Sequence, residues 1–284
     1  MTFDLKSYLT ERKALVEKEL FACLPAAGTR PSELSEAMRH AVLSGGKRLR
    51  PILCLAAAEA AGGKAEDAIH AACAVELLHT YTLVHDDLPC MDNDTLRRGQ
   101  PTVWAKYGEA MAVLVGDALQ TLAFETLART TASPSSVATL VTELAKSAGA
   151  AGVIAGQVED IAFAGAPTSD IIDYVFQHKT ADLFRAAVRL GAIAGGASNH
   201  DLHQVSVYGN TLGFAFQIID DLLDARQASA DDKPELTCLA VMSEDEARAY
   251  AEKTTGEACA ALKNLPGDTT PLLALAMELL SRVM

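Results

Sequence analysis

Apolar residues recur at helical spacing along this chain in blocks of about 12 to 25 residues, and Gly or Pro separates the blocks at Gly28, Pro31, Gly45-Gly46, Gly62-Gly63, Gly195-Gly196 and Pro234. The pattern predicts about ten helices. It argues against a sheet scaffold, because β-branched residues rarely alternate with polar ones over a strand's length. Composition agrees: aromatics make up only 5% of the residues, Ala is very abundant, and half the chain is apolar, enough for a sizeable core. No Pro/Ser-rich linker, low-complexity tract or fixed-period repeat divides residues 1–284, so an all-α, single-domain chain is expected. The first helix should run from Asp4 to Leu24 and the last, mostly apolar, from Pro271 to Val283.

Charge narrows the partners. A formal net charge of -13 and a pI near 4.9 oppose a nucleic-acid or anionic-membrane surface, which needs a basic face to neutralise phosphates. The sequence predicts no membrane insertion, because no uninterrupted apolar run reaches the length of a span. Six scattered cysteines form no C-x-x-C pair and follow no secretory leader, which predicts reduced, buried thiols and a cytoplasmic protein.

Three polar constellations interrupt this apolar pattern. In Tyr81 to Thr102, YTLVHDDLPCMDNDTLRRGQPT, four carboxylates (Asp86, Asp87, Asp92 and Asp94) crowd a helix end. Crowded carboxylates raise one another's pKa and are tolerated only when solvated or bound to cations. Pro89 should deform the helix near Leu88 and let the chain bring Asp92 back towards Asp86. Arg97 and Arg98 follow with guanidinium forks suited to phosphate oxygens. An all-oxygen site beside arginines suits Mg²⁺ with a phosphate better than zinc.

The second constellation is GFAFQIIDDLLD, Gly213 to Asp224. Asp220 and Asp224 share a helix face one turn apart, Gln217 lies a turn before Asp221, and Gly213 would leave a smooth patch below Asp220. Alone, such an acidic helix face is as easily a solvated surface. Two acidic clusters on separate helices suit metals held between facing helices. The third, Gly45 to Pro51, puts a glycine turn before Lys47, Arg48 and Arg50, so that backbone N–H groups with Lys47 and Arg50 make an anion cradle. His79 shares the Asp86 face two turns below it.

With these residues in view, the chain resembles the trans-type short-chain prenyl diphosphate synthases, the farnesyl/geranyl diphosphate synthase group. The resemblance rests on GGKRLRP at Gly45 to Pro51, HDDLPCMDNDTLRRGQPT at His85 to Thr102, GQVED at Gly156 to Asp160, HKTADLFRAAV at His178 to Val188, and FAFQIIDDLLD at Phe214 to Asp224. It implies mostly antiparallel helices around a central cavity, two aspartate motifs facing across its mouth, and a homodimer. Isopentenyl diphosphate would attack an ionised allylic diphosphate, dimethylallyl or geranyl, and the released diphosphate would take the proton. About three Mg²⁺ ions, or Mn²⁺ in their place, would bridge the leaving group to Asp86, Asp87, Asp92, Asp220 and Asp224. By the same resemblance Arg97, Lys179, Lys233 and Gln217 would surround the allylic diphosphate, with Thr180 stabilising the cation. Lys47, Arg50, His79 and Arg98, with the Gly46 backbone, would hold the isopentenyl diphosphate. The stretch ARQASADDKPELTC after Asp224 departs from the family pattern: it is short and acidic and lacks a Gly-Lys, so Lys233 is placed by position only.

Product length is expected to depend on Thr82, one turn below Asp86, and on Tyr81, where the family uses an aromatic as a stop. Together with the Leu88-Pro89 insertion, Tyr81 predicts farnesyl (C15) diphosphate, with geranyl (C10) as the alternative. A terpene cyclase would need no second diphosphate site, and a silent subunit of a heteromeric synthase would not need intact aspartates.

Overall fold

The computed structural model describes residues 3–226 and 236–284. Helices dominate, as the periodicity predicts: α1 (Leu5–Cys23), α2 (Ser32–Leu43), α3 (Leu49–Ala60), α4 (Ile69–Asp86), α5 (Val103–Tyr107), α6 (Glu109–Ala128), α7 (Pro134–Ala148), α8 (Val153–Ala162), α9 (Ser169–Val175), α10 (Asp182–Ala194), α11 (Asn199–Asp224), α12 (Glu244–Ala261) and α13 (Thr270–Ser281). The only strands among the described residues are the antiparallel pair β1 (Leu96–Arg97) and β2 (Gln100–Pro101), set between α4 and α5. One π-helical turn, Phe176–Ala181, carries α9 into α10.

Side-chain caps fix several helix starts. Asp4 accepts from the Ser7 N–H at the head of α1, while Ser198 with Asp201 and Ser243 with Glu246 close reciprocal capping boxes on α11 and α12. The core is built as two apolar clusters, and α3 and α10 serve both. Cys54, Leu55, Leu183 and Leu190 face one, and Ile52, Leu53, Phe184 and Val188 face the other. Glycine lets these helices meet backbone to backbone. A Cβ on Gly191 would fall 1.9 Å from the Cys54 carbonyl oxygen, and one on Gly195 would fall 2.7 Å from that of Ala58.

By length and composition, Glu109–Ala128 and Pro134–Ala162 are apolar enough to cross a membrane, although polar and charged residues interrupt both. The first packs against α4, and the second is broken between α7 and α8 by Gly149 and Gly152. The thiols are all free, but not all are buried: Cys90 is exposed and Cys259 is half-buried.

Candidate active site

The first acidic segment folds back as Pro89 dictates. α4 stops at Asp86, the Asp92 N–H donates to the Asp86 carbonyl at 2.8 Å, and the Asn93 N–H reaches the Leu88 carbonyl at 3.1 Å. Asp86 and Asp92 therefore sit on one side of the loop. Burial pushes the Asp86 carboxyl up to about 6, against the pull of Lys179 and with the push of Asp92. Burial raises Asp92 as well, and Lys179 opposes this shift too. Among the described residues neither carboxylate has a cation within ion-pair distance, so the two crowd together as an acidic site.

Asp87 turns the other way. It is only 3% exposed and accepts from Arg97 Nε at 2.6 Å, and Arg97 also reaches Asp94 at 3.2 Å. Asp87 is thus tied to Arg97, and Arg97 is held by Asp87 and by Asp94, a wall residue of the acidic cavity described below. A carboxylate buried at a helix end needs a counter-charge, and the β1–β2 hairpin delivers one.

On α11, Asp221 is buried and tied to the Cys238 N–H at 2.7 Å and to Gln217 Nε2 at 3.0 Å. Gln217 Oε1 in turn accepts from the Thr180 hydroxyl at 2.8 Å. Asp220 points elsewhere. Arg282 lies 3.6 Å away, and the shift that burial imposes on Asp220 is opposed by Arg282, Lys47 and Arg50. Asp224 is exposed at the rim. Gly213 is not a smooth patch under Asp220; a Cβ there would lie 2.5 Å from Ala181 Cα, so it admits the π-helical turn against α11. Lys233 lies outside the described residues.

Two cavities meet at this turn. One of about 560 Å³ is mainly acidic in character, with Asp92, Asp94, Asp160, Gln217, Asp221 and Asp224 in its walls. The other, of about 480 Å³, is walled by Tyr81, Thr82, Val153, Ile154, Val158, Ile161 and Leu183, with Asp86 at its edge. Met91, Lys179 and Thr180 belong to both. Lys179 Nζ is 2.5 Å from Asp160 Oδ2; burial alone would lower the ammonium pKa, but Asp160, Asp86 and Asp92 raise it. Tyr81 stands edge-on to His85 with ring centroids 5.7 Å apart.

A cationic group completes the site. Arg50 Nη1 lies 3.3 Å from His79 Nε2 and its guanidinium lies 4.7 Å from the centroid of the Phe184 ring; both Arg50 and His79 reach the apolar cavity. Burial lowers the Arg50 pKa to about 10, leaving it charged, and burial with the neighbouring Arg50 and Arg98 holds His79 neutral. Arg98 donates to the Gly45 carbonyl and covers Gly46 so closely that a Cβ there would fall 2.6 Å from Nη1. Arg48 takes no part: it is buried, 2.7 Å from Glu76 Oε1, and donates to the Val42 carbonyl. Periodicity and spacing do not disclose Gln120 and Gln157, polar groups in the apolar cavity; the signal for Gln120 is one amide within an apolar helix, and Gln157 belongs to the GQVED stretch.

This architecture is the all-α isoprenoid-synthase fold. The Polyprenyl synthetase family model matches residues 31–237. The chain is 43% identical to the large subunit 1 of the heterodimeric geranylgeranyl pyrophosphate synthase of Arabidopsis thaliana over 97% of this chain and 78% of that protein. It is 39% identical to geranylgeranyl pyrophosphate synthase 4 of the same plant, over 99% and 79%. The crystal structure of an FPP/GFPP synthase from Zymomonas mobilis superposes with a TM-score of 0.89 at 35% identity, covering 97% of this chain and 98% of that one. The chain belongs to the polyprenyl synthetase family, the prenyltransferases of isoprenoid biosynthesis.

Proposed function

We propose that this prenyltransferase joins isopentenyl diphosphate to dimethylallyl or geranyl diphosphate and releases diphosphate. The observation that carries the reading is the shared wall at Lys179 and Thr180, where an acidic cavity for a metal-bound head meets an apolar one for a hydrocarbon tail. Magnesium fits the donors. Among the described residues no three His, Cys, Asp or Glu side chains converge on a closed metal site, and Mg²⁺ commonly binds through one or two carboxylates completed by substrate phosphate oxygens. Asp86 and Asp92 on one side and Asp224, with Asp220 behind it, on the other would hold about three Mg²⁺ ions, or Mn²⁺. When bound, the metals would neutralise charge growing on the departing diphosphate.

The chain's own groups would do the rest. Lys179 places a charge beside the leaving diphosphate, and Gln217 orients the Thr180 hydroxyl beside the developing cation. Arg50 and Arg98, with Lys47, the Gly46 backbone and neutral His79, supply a separate anion site for isopentenyl diphosphate. Two sites favour condensation over cyclisation of a single diphosphate.

Tyr81 in the cavity wall supports farnesyl diphosphate as the product. The names of the Arabidopsis relatives favour a second reading, geranylgeranyl diphosphate. Val113 and Leu114, exposed on α6, suit a second copy of the chain, and we place the protein in the cytoplasm as a homodimer. The test is to incubate purified protein with Mg²⁺, isopentenyl diphosphate and each allylic diphosphate, then separate the products by chain length. No elongation overturns the reading; C20 as the main product replaces farnesyl with geranylgeranyl.

A further inference from the structure

The turn that presents Lys179 and Thr180 is π-helical, a rare geometry found mostly as single turns inside α-helices. Two glycines make room for it. A Cβ on Gly156 of α8 would lie 2.3 Å from the Lys179 nitrogen, and Gly213 of α11 admits Ala181. Room alone does not select the π register.

The selection comes from Asp182, which is only 3% exposed. Its Oδ1 accepts from Gln177 Nε2 at 3.0 Å and from Arg185 Nη2 at 2.9 Å, and His178 Nδ1 lies 2.8 Å from its Oδ2. The contacts with His178 and Arg185, four and three residues away, are ordinary helix neighbours. The one with Gln177 is not: positions five apart stand about 140° apart around an α-helix. Gln177 Nε2 also donates to Asn210 Oδ1 on α11 at 2.8 Å, which anchors the clasp to a second helix.

We propose that Asp182, through Gln177, is a positioning residue that locks the π register and thereby turns two consecutive residues, Lys179 and Thr180, onto the junction of the two cavities. The proposal rests on the prenyl-transfer reading for its kinetic consequence. Asp182 and Gln177 touch no substrate; they act through the turn between them.

Asp182→Ala and Gln177→Ala each remove half of the clasp, whereas Asp182→Asn keeps an oxygen for Gln177 and Arg185. Expected for both alanine variants are a kcat lower by roughly tenfold to a hundredfold, an unchanged KM for isopentenyl diphosphate, and faster amide hydrogen exchange across residues 176–181. Asp182→Asn should restore most of both. Circular dichroism and melting identify variants that simply unfold, and Gln177→Ala keeps the test open if Asp182→Ala is among them. Wild-type exchange and kcat in the folded alanine variants overturn the proposal, as does faster exchange at unchanged kcat, or an Asp182→Asn as impaired as Asp182→Ala. If the wild-type protein transfers no prenyl group, the functional reading fails, and exchange across the turn alone decides the clasp.

Discussion

Lys179 Nζ stands 2.5 Å from Asp160 Oδ2, a pair that joins α8 to the π-helical turn at the point where the two cavities meet. Removing the cation should cost more than removing its partner. Lys179→Gln is expected to lower kcat by about a hundredfold or more, the scale of one lost electrostatic contact to a leaving group. Asp160→Asn should give a smaller loss. Steady-state kinetics with saturating isopentenyl diphosphate checks the order.

Asp86 should give opposite pH trends in stability and activity. Its folded pKa of about 6 lies above the ordinary 3.8. The stability it contributes is therefore present below the ordinary carboxylate range and is lost as pH rises through 6. Asp86→Asn should stabilise the metal-free protein at pH 7 by roughly 1–2 kcal/mol, after discounting for solvent screening, while removing most activity. Wild-type Mg²⁺-dependent activity should fall as pH drops below 6, because the carboxyl then holds a proton. Melting and rate profiles from pH 5 to 8 test both signs.

Tyr81→Ala should lengthen the product by opening the wall of the apolar cavity. Gly116→Ala tests the same wall from behind: a Cβ there would fall 2.0 Å from His85 Nε2, displacing the ring that stands edge-on to Tyr81. Chromatography of extracted products reads both, and unchanged chain lengths in Tyr81→Ala would remove this residue from the length-setting role.

Arg48 and Glu76, both nearly inaccessible and 2.7 Å apart, should behave as a structural pair. Arg48→Ala is expected to cost about 3–5 kcal/mol, since it strands a buried carboxylate. The double variant Arg48→Met with Glu76→Leu should recover much of that loss. Urea denaturation of the single and double variants measures the difference.

Much of this site was legible because its determinants are local. Pro89 dictates the return of Asp92 to Asp86, and one helical turn puts Asp220 and Asp224 on a face. What stayed hidden depends on partners distant in sequence. Asp87, which reads as a ligand, meets Arg97 ten residues on, and Asp221 in the second cluster meets the Cys238 backbone seventeen residues on. Arg48 stands between the two cradle cations in sequence, but its left-handed backbone, φ 54, sends it into the core while Arg50 reaches the cavity. The π-helical turn left no periodic signature, because one extra residue in a turn shifts phase too little to register over so short a segment.

The bare glycine contact between α3 and α10 makes distance a poor guide to which substitutions matter. Gly191 lies nine residues, roughly 14 Å along the helix, from Asp182, at whose side α10 leaves the π-helical turn. Nothing larger than hydrogen fits between Gly191 and Cys54. A methyl group there would act as a wedge beneath a lever, and its effect would emerge at Lys179 and Thr180, so that a change deep in the scaffold would mimic a lesion of the catalytic groups.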